Sequence, residues 1–153
     1  MQPVTITAAN EEERDWAASL MAGSEPWVTL GRGFEQCRKP CHDPDFQMFV
    51  AHAGALPCGF VLLQRCGVAG SPYIASIAVA EEFRGKGVGT RLLEFAEDFF
   101  RAQSRHIFLC VSSFNDRARK LYEQLDYTPV GEFKDYVIPG ASEILMHKRL
   151  RQL

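Results

Sequence analysis

The sequence has no long apolar run and no large excess of charge of either sign. No apolar stretch approaches the ~20 residues needed to span a bilayer. The N-terminus also lacks the basic segment and apolar core that begin a secretory signal peptide. With 17 Lys and Arg against 19 Asp and Glu, the formal net charge is −2, which favours neither nucleic acid nor an anionic membrane. We therefore expect a cytoplasmic protein with no nucleic-acid or membrane partner.

The five cysteines form neither a disulfide framework nor a convincing metal site. Their number is odd and no Cys-x-x-Cys pair occurs, so the sequence predicts reduced and mostly buried thiols. Cys37, Cys41 and His42 bring two sulfurs and an imidazole together, but a second matching pair is missing. We therefore expect no metal.

The chain length and the hydrophobic periodicity predict a single α/β domain over residues 1–153. The predicted order is β-α-α-β-β-β-α-β-α-β-β, with a largely antiparallel mixed sheet. Asn10 and Glu13 have capping-box spacing at the start of the first helix. Ser24–Pro26 predicts the start of a second helix, followed by a loop over residues 39–45. The strands are predicted at 4–7, 46–53, 58–66, 73–79, 107–111, 127–137 and 143–150.

What the sequence does contain is a glycine-rich turn between an apolar strand and a helix. This turn runs from Arg84 to Thr90, after a strand ending at Val79 and before a helical run starting at Arg91. Such a turn leaves backbone N–H groups unpaired at the positive end of a helix dipole, where phosphate groups bind. We therefore predict that residues 84–90 bind a phosphorylated cofactor.

Two familiar phosphate-binding motifs fail at this turn. A nucleotide P-loop requires Gly-x-x-x-x-Gly-Lys-Ser/Thr, but Gly87 follows Lys86, and Ala80 stands at the first glycine position. A dinucleotide fingerprint requires Gly-x-Gly-x-x-Gly; Gly85 and Gly87 fit, but Thr90 stands at the third glycine. The next strand also ends without an acid for the ribose. An NAD-dependent oxidoreductase is therefore a distant hypothesis.

A third motif does fit, and a second segment agrees with it. Arg84-x-x-Gly87-x-Gly89 resembles the acyl-CoA-binding motif of the GNAT N-acetyltransferase family, Arg/Gln-x-x-Gly-x-Gly/Ala at a strand-to-helix junction. Residues 115–127, Asn-x-x-Ala-x-x-Leu-Tyr-Glu-x-Leu-x-Tyr, resemble that family's Asn-x-x-Ala-x-x-Leu-Tyr-Glu-x-x-Gly-Phe helix. Asp126 replaces the family's glycine, where a left-handed backbone is often needed. The order of elements also matches, so the resemblance covers nearly the full length.

The resemblance implies a GNAT-like fold and an acetyl-CoA-dependent N-acetyltransferase. Helices are expected on both faces of the sheet, and the strands ending at Val79 and Val111 should splay apart to admit the pantetheine arm. An amine would attack the thioester directly, while a backbone N–H near Val79 polarises its oxygen. The implied cofactor contacts are backbone groups of Ile77, Ala78 and Val79, the turn residues Arg84, Gly85, Lys86, Gly87, Val88, Gly89 and Thr90, and Asn115.

The resemblance also implies that Tyr122 is the catalytic residue, beside the departing sulfur. With reference pKa values near 10 for Tyr and 8.5 for a thiol, complete proton transfer is uphill by about 2 kcal/mol. We therefore expect a hydrogen bond to the developing thiolate, with complete transfer only if the site lowers the pKa of Tyr122. From the residues alone, Tyr122 is equally compatible with a core aromatic, and Asn115 with a helix N-cap.

The general base and the acceptor stay open. The strand segment 74–77 carries no carboxylate, and Glu25, Glu35 and His52 are weak candidates for the base. The acceptor is expected to be a small-molecule or peptide amine, selected by residues 25–41 and the Pro139–Gly140 hairpin. Aromatic side chains that could line its pocket are Trp27, Phe34 and Tyr136, which are as compatible with the core.

Two further points stay open at this stage. A non-catalytic acyl-CoA sensor on the same scaffold is the alternative function, and the retained Tyr122 favours the enzyme. The sequence does not distinguish a monomer from a homodimer.

Overall fold

The described chain, residues 3–152 of a computed structural model, folds around a seven-stranded sheet. The strands are β1 (Thr5–Ala8), β2 (Gln47–Ala53), β3 (Leu56–Val68), β4 (Ser71–Val79), β5 (His106–Ser112), β6 (Thr128–Phe133) and β7 (Glu143–Arg149). The helices are α1 (Glu11–Ala22), α2 (Phe34–Cys41), α3 (Val88–Arg101) and α4 (Asp116–Gln124). The strand order is β1-β2-β3-β4-β5-β7-β6, and every neighbouring pair is antiparallel except β4 with β5. The predicted mixed, largely antiparallel architecture is confirmed.

The first helix begins at the capping box that the sequence predicts. The Glu13 N–H donates to Asn10 Oδ1 at 2.8 Å, and the Asn10 N–H donates to the Glu13 carboxylate at 3.0 Å. These reciprocal bonds satisfy two N–H groups that the helix itself cannot pair. Ala17, Ala18 and Met21 then form the buried face of α1.

The second helix is shorter than predicted, and its predicted start is wrong. It begins at Phe34 and runs to Cys41, into residues predicted as loop. Residues 24–31 form consecutive turns instead. There the Glu25 carboxylate accepts hydrogen bonds from the Thr29 N–H at 2.9 Å and hydroxyl at 2.6 Å. Gly31, at φ +72°, takes a left-handed conformation that a continuous α-helix does not contain, so the helix starts only after it.

β3 supplies both cores of the molecule, because alternate side chains of a strand face opposite sides of the sheet. Phe60 and Leu62 pack with Met48, Val50 and the buried face of α1 and α2. Val61 and Leu63 pack on the other side, where α3 contributes a stripe of side chains: Val88, Leu92, Leu93, Ala96 and Phe100. Helices thus cover both faces, as expected.

β4 and β5 part after two residue pairs. In the described part of the chain, the parallel pairing is limited to Tyr73 with Phe108 and Ile74 with Leu109. β4 nevertheless stays paired with β3 as far as Val79, after a bulge, and β5 stays paired with β7 as far as Ser112. The predicted splay is therefore present, and the slot between the two strands is open towards their carboxyl ends.

The five cysteines are free thiols, with Cys37, Cys41 and Cys58 buried. This agrees with the prediction of reduced and mostly buried thiols. Among residues 3–152, none of the helices combines the length and the apolar character required to cross a membrane.

The contact between α3 and β3 gives a testable prediction of stability. A Cβ added at Gly59 would lie 3.0 Å from the Ala78 carbonyl oxygen and 3.0 Å from Leu92 Cδ1. Since overpacking typically costs about 1–3 kcal/mol, we expect Gly59→Ala to lower the free energy of unfolding by that amount. The matched control is Gly131→Ala on the exposed strand β6, where no atom lies within 4 Å of the added Cβ. Urea denaturation of both variants measures the difference, and equal stabilities would contradict this account of the packing.

Candidate active site

A cavity of about 1380 Å³ follows the slot between β4 and β5. Its walls are β4, the glycine-rich turn, the start of α4, the end of β5, the turns at residues 23–32 and the loop after β6. The cavity is lined by every residue predicted to contact the cofactor except Lys86. Tyr122 lines it as well. The described fold therefore brings the predicted site residues together.

The glycine-rich turn presents an uncapped helix N-terminus to the cavity. Gly85 and Gly87 have φ values of +74° and +85°, a region that glycine enters without steric cost. Gly87 is the N-cap of α3, and having no side chain it cannot cap the helix. The N–H groups of Val88, Gly89 and Thr90 lie in the first turn and have no acceptor within the helix. This arrangement suits a bound anion.

Arg84 is engaged with the protein itself. Its Nε donates to the Val79 carbonyl at 2.9 Å, and its Nη2 donates to Ser24 Oγ at 3.3 Å. The guanidinium therefore ties the end of β4 to the turns before α2. Lys86 lies with its Nζ 5.6 Å from the centre of the Phe83 ring.

The open edge of β4 offers backbone groups to the slot. The Ala80 N–H donates to a β3 carbonyl at 2.8 Å. Because backbone groups alternate in direction along a strand, Ala78 also faces β3, and Ile77 and Val79 face the slot. The Val79 carbonyl is already bonded to Arg84, which leaves the Val79 N–H and both groups of Ile77. The backbone N–H and carbonyl of Ala78, one of the three predicted backbone contacts, thus point to β3 and away from the slot.

Asn115 lies at the start of α4 and Asp126 in the turn after it, and both have the conformation that the sequence suggests. Asn115 is the N-cap, with its Oδ1 accepting from the Ala118 N–H at 3.4 Å, and it also lines the cavity. Asp126 has φ +71°, the left-handed conformation expected where the family motif has glycine. The replacement of glycine by Asp therefore keeps the turn after α4.

Tyr122 lies on the buried side of α4, 7% exposed, and lines the cavity. Burial raises the pKa of its hydroxyl well above the usual value. The side chain therefore stays neutral and is a hydrogen-bond donor at ordinary pH. The structure does not supply the lowered pKa that complete proton transfer to a thiolate would require.

An ionic network that the sequence did not suggest lies behind Tyr122. The Tyr127 ring meets the Tyr122 ring edge-on, with centroids 6.1 Å apart. The Tyr127 hydroxyl donates to Glu97 Oε2 at 3.0 Å, and Lys148 Nζ donates to Glu97 Oε1 at 2.9 Å. Glu97 is 5% exposed, so this pairing satisfies a buried charge. An acid within the apolar stripe of α3 was the signal available in the sequence.

A second unpredicted group starts where β4 and β5 part and extends to the end of β5. Tyr73 and Cys110 line the cavity on the same face of the sheet as Glu143 on β7. The Ser112 hydroxyl donates to Glu143 Oε2 at 2.6 Å. Burial raises the pKa of the Tyr73 hydroxyl and of the Cys110 thiol, so both remain protonated at neutral pH.

The cavity lining includes two of the three predicted aromatic residues. Trp27 and Tyr136 line it, and Tyr136 is 69% exposed and packs on Phe133 with ring centroids 5.3 Å apart. Phe34 is exposed at the start of α2, outside the lining residues.

The three candidate bases are not gathered at the slot. His52 Nε2 lies 2.6 Å from the Glu13 carboxylate, away from the cavity, and Glu35 is also outside its lining. Glu25 lines the cavity but is bonded to Thr29, and these hydrogen bonds lower the pKa of its carboxyl.

Cys37, Cys41 and His42 do not converge. Cys41 Sγ is buried 3.9 Å from Met21 Sδ, while His42 Nε2 lies 2.7 Å from Asp15 Oδ1. Within residues 3–152, no three His, Cys, Asp or Glu side chains are grouped so as to hold a metal ion.

The proteins to which this chain is similar are acetyltransferases. The sequence profile of the acetyltransferase (GNAT) family matches residues 9–127. The N-alpha-acetyltransferase RimI of Mycobacterium tuberculosis is 28% identical over 155 residues, covering 96% of this chain and 93% of the relative. An N-alpha-acetyltransferase of Saccharolobus solfataricus is 36% identical over 80 residues, 51% of this chain and 48% of that protein.

A solved structure has the same fold. The ribosomal-protein-S18-alanine N-acetyltransferase of Escherichia coli superposes with a TM-score of 0.78 at 20% identity, covering 99% of this chain and 96% of that chain. The family match covers well over half of the sequence. The chain therefore belongs to the acetyltransferase (GNAT) family and is an N-acetyltransferase.

Proposed function

We propose that the protein transfers an acetyl group from acetyl-CoA to the α-amine of a peptide or protein N-terminus, by direct attack of the amine. The observation that carries the proposal is the slot between β4 and β5, which connects the free N–H groups of α3 with Tyr122. A single channel thus offers an anion site at one end and a hydrogen-bond donor in its wall.

The chain has the groups that acetyl-CoA requires. When bound, acetyl-CoA supplies a thioester-activated acetyl group. The N–H groups of Val88, Gly89 and Thr90 would hold the pyrophosphate, and Ile77 and Val79 would bond the pantetheine arm through their backbone. Asn115 would contribute from the start of α4. The Ile77 N–H, which faces the slot two residues further from the glycine-rich turn than Val79, is the donor proposed for the thioester oxygen.

Tyr122 acts as a neutral hydrogen-bond donor to the sulfur that leaves. Burial keeps its hydroxyl protonated, and the edge-on contact with Tyr127 fixes the ring. The hydrogen bond strengthens as negative charge develops on sulfur, which is what lowers a reaction barrier.

An α-amine is the acceptor that this chain can activate at least cost. At pH 7 a lysine-type amine of pKa ~10.4 requires about 4.6 kcal/mol to deprotonate, whereas an α-amine near 7.8 requires about 1 kcal/mol. Neither β4 nor β5 carries an Asp or Glu, so a strong base is missing from these two strands. The two relatives described above are themselves named as N-alpha-acetyltransferases, which supports the same class of acceptor.

The proposal is tested by thiol release from acetyl-CoA over a panel of acceptors. Tetrapeptide amides with free α-amines are compared with N-acetylated peptides that carry a lysine side chain, with spermidine, and with an aminoglycoside. We expect the free α-amines to give the highest kcat/KM. A clear preference for lysine, spermidine or the aminoglycoside would contradict the α-amine assignment, and tight acetyl-CoA binding without thiol release would contradict catalysis.

Substitution of Gly85 tests the proposed cofactor turn. We expect Gly85→Ala to weaken acetyl-CoA binding about tenfold, since a strained αL alanine costs ~1–2 kcal/mol and shifts the N–H groups. Gly54→Ala is the matched control, because Gly54 also has a positive φ and no atom within 4 Å of the added Cβ, but lies in the β2–β3 turn. Isothermal titration with acetyl-CoA compares the two. Equal dissociation constants would contradict the role of the turn.

Removal of the Tyr122 hydroxyl tests its proposed role. We expect Tyr122→Phe to lower kcat more than about tenfold, because the hydrogen bond to the leaving sulfur is made chiefly in the transition state. The affinity for acetyl-CoA, measured by titration, should stay nearly unchanged, and thermal melting checks the fold. An unchanged kcat would remove Tyr122 from the mechanism.

A further inference from the structure

Glu143 is a carboxylate in the cavity wall that the mechanism above does not use. It occupies the first position of β7 and pairs with Ser112 at the end of β5. Because Ile144 turns to the core, Glu143 turns to the opposite face of the sheet, with Tyr73 and Cys110. The cluster runs along the slot, from Tyr73, beside which β4 and β5 part, to Glu143, which is level with the last residue of β5.

The carboxylate of Glu143 is held in place yet is free to bind a cation. Ser112, 2% exposed, fixes Oε2 through its hydroxyl at 2.6 Å. Within residues 3–152, no Lys, Arg or His side chain forms an ion pair with Glu143, and no donor is bonded to Oε1. A fixed carboxylate in a cavity wall with one free oxygen is a ready acceptor for an ammonium group.

The side chains next to Glu143 in the cavity wall carry no charge. Tyr73 and Cys110 are neutral at ordinary pH. The other acids of the cavity lie elsewhere: Glu25 is bonded to Thr29, and Glu81 follows the end of β4. The cationic lining residues come from turns and from α4 rather than from the strands around Glu143: Arg32, Arg84, Arg117 and Lys120.

We infer that Glu143 recognises the acceptor, binding the ammonium form of its amine through Oε1 while Ser112 holds Oε2. The inference rests on the proposed function and adds the group that distinguishes a free N-terminus from a blocked one. A bound ammonium must still lose a proton before it attacks, and a nearby carboxylate opposes that loss. Removal of the charge of Glu143 is therefore expected to lower the affinity for the acceptor and to leave kcat nearly unchanged.

The test measures binding of peptides to the CoA-saturated protein by calorimetry. The probes are tetrapeptide amides that differ in their first residue, each with a free α-amine or with an N-acetyl group. We expect Glu143→Gln to weaken binding of the free-amine peptides about tenfold, the scale of one charge-assisted hydrogen bond, and to leave the N-acetylated peptides unaffected.

Two more variants distinguish an effect of the Glu143 charge from a loss of folding stability. Glu132→Gln is the matched control, since Glu132 is an exposed acid on the same hairpin and lies outside the cavity lining. It should bind the peptides as the wild type does. Glu143→Asp keeps the charge and is expected to retain more affinity than Glu143→Gln at a similar melting temperature.

The outcomes for Glu143 and for the proposed function are distinguishable. Equal affinity of the wild type and Glu143→Gln for the free-amine peptides would overturn the inference, and so would a wild type that binds none of them. Failure of the proposed function appears differently, as normal peptide binding without thiol release from acetyl-CoA. In the activity assay, a rise in acceptor KM with kcat nearly unchanged supports the inference.

Discussion

β4 and β5 part after two residue pairs, and the proposed site is built around the opening between them. Each strand keeps its other neighbour, so the sheet remains continuous while the inner edges of both strands stay open. Backbone groups that lose a strand partner must find another, because an unpaired buried polar group is costly. The Val79 carbonyl finds Arg84, and the remaining groups of Ile77 and Val79 are available to a ligand that lies in the slot as an added strand does.

Helix α3 links the two ends of the proposed site. Its first turn is left uncapped by Gly87 and faces the cavity, and one of its last turns carries the buried Glu97. Glu97 binds both Lys148 of β7 and the hydroxyl of Tyr127, whose ring supports Tyr122. The same helix thus carries the proposed anion site and, through this network, supports the ring of the proposed catalytic tyrosine. Gly59 lets the helix approach β3 closely enough for both functions.

Features that depend on a few neighbouring residues were predicted correctly from the sequence. Contacts between residues of different strands were not, because they depend on the order and register of the strands. The capping box at Asn10 and the left-handed Asp126 follow from the chemistry of single residues, and both are confirmed. The second helix was predicted wrongly because Ser24–Pro26 has the composition of a helix start, while Gly31 breaks the helix and Glu25 satisfies a turn. Glu143 and Tyr73 could not be assigned, since only the order of β4, β5 and β7 brings them to the same face of the sheet as Cys110.

Hydrogen–deuterium exchange with and without acetyl-CoA is the direct test of the slot as the cofactor site, because it reports on the backbone of the slot without requiring turnover. We expect slower exchange of the N–H groups of Ile77, Val79 and residues 88–90 when acetyl-CoA is bound. The N–H groups of β1 and β2, near the edge of the sheet away from the slot, should exchange at the same rate with and without acetyl-CoA. Unchanged exchange at Ile77, Val79 and residues 88–90 under saturating acetyl-CoA would contradict the assignment of the slot as the cofactor site.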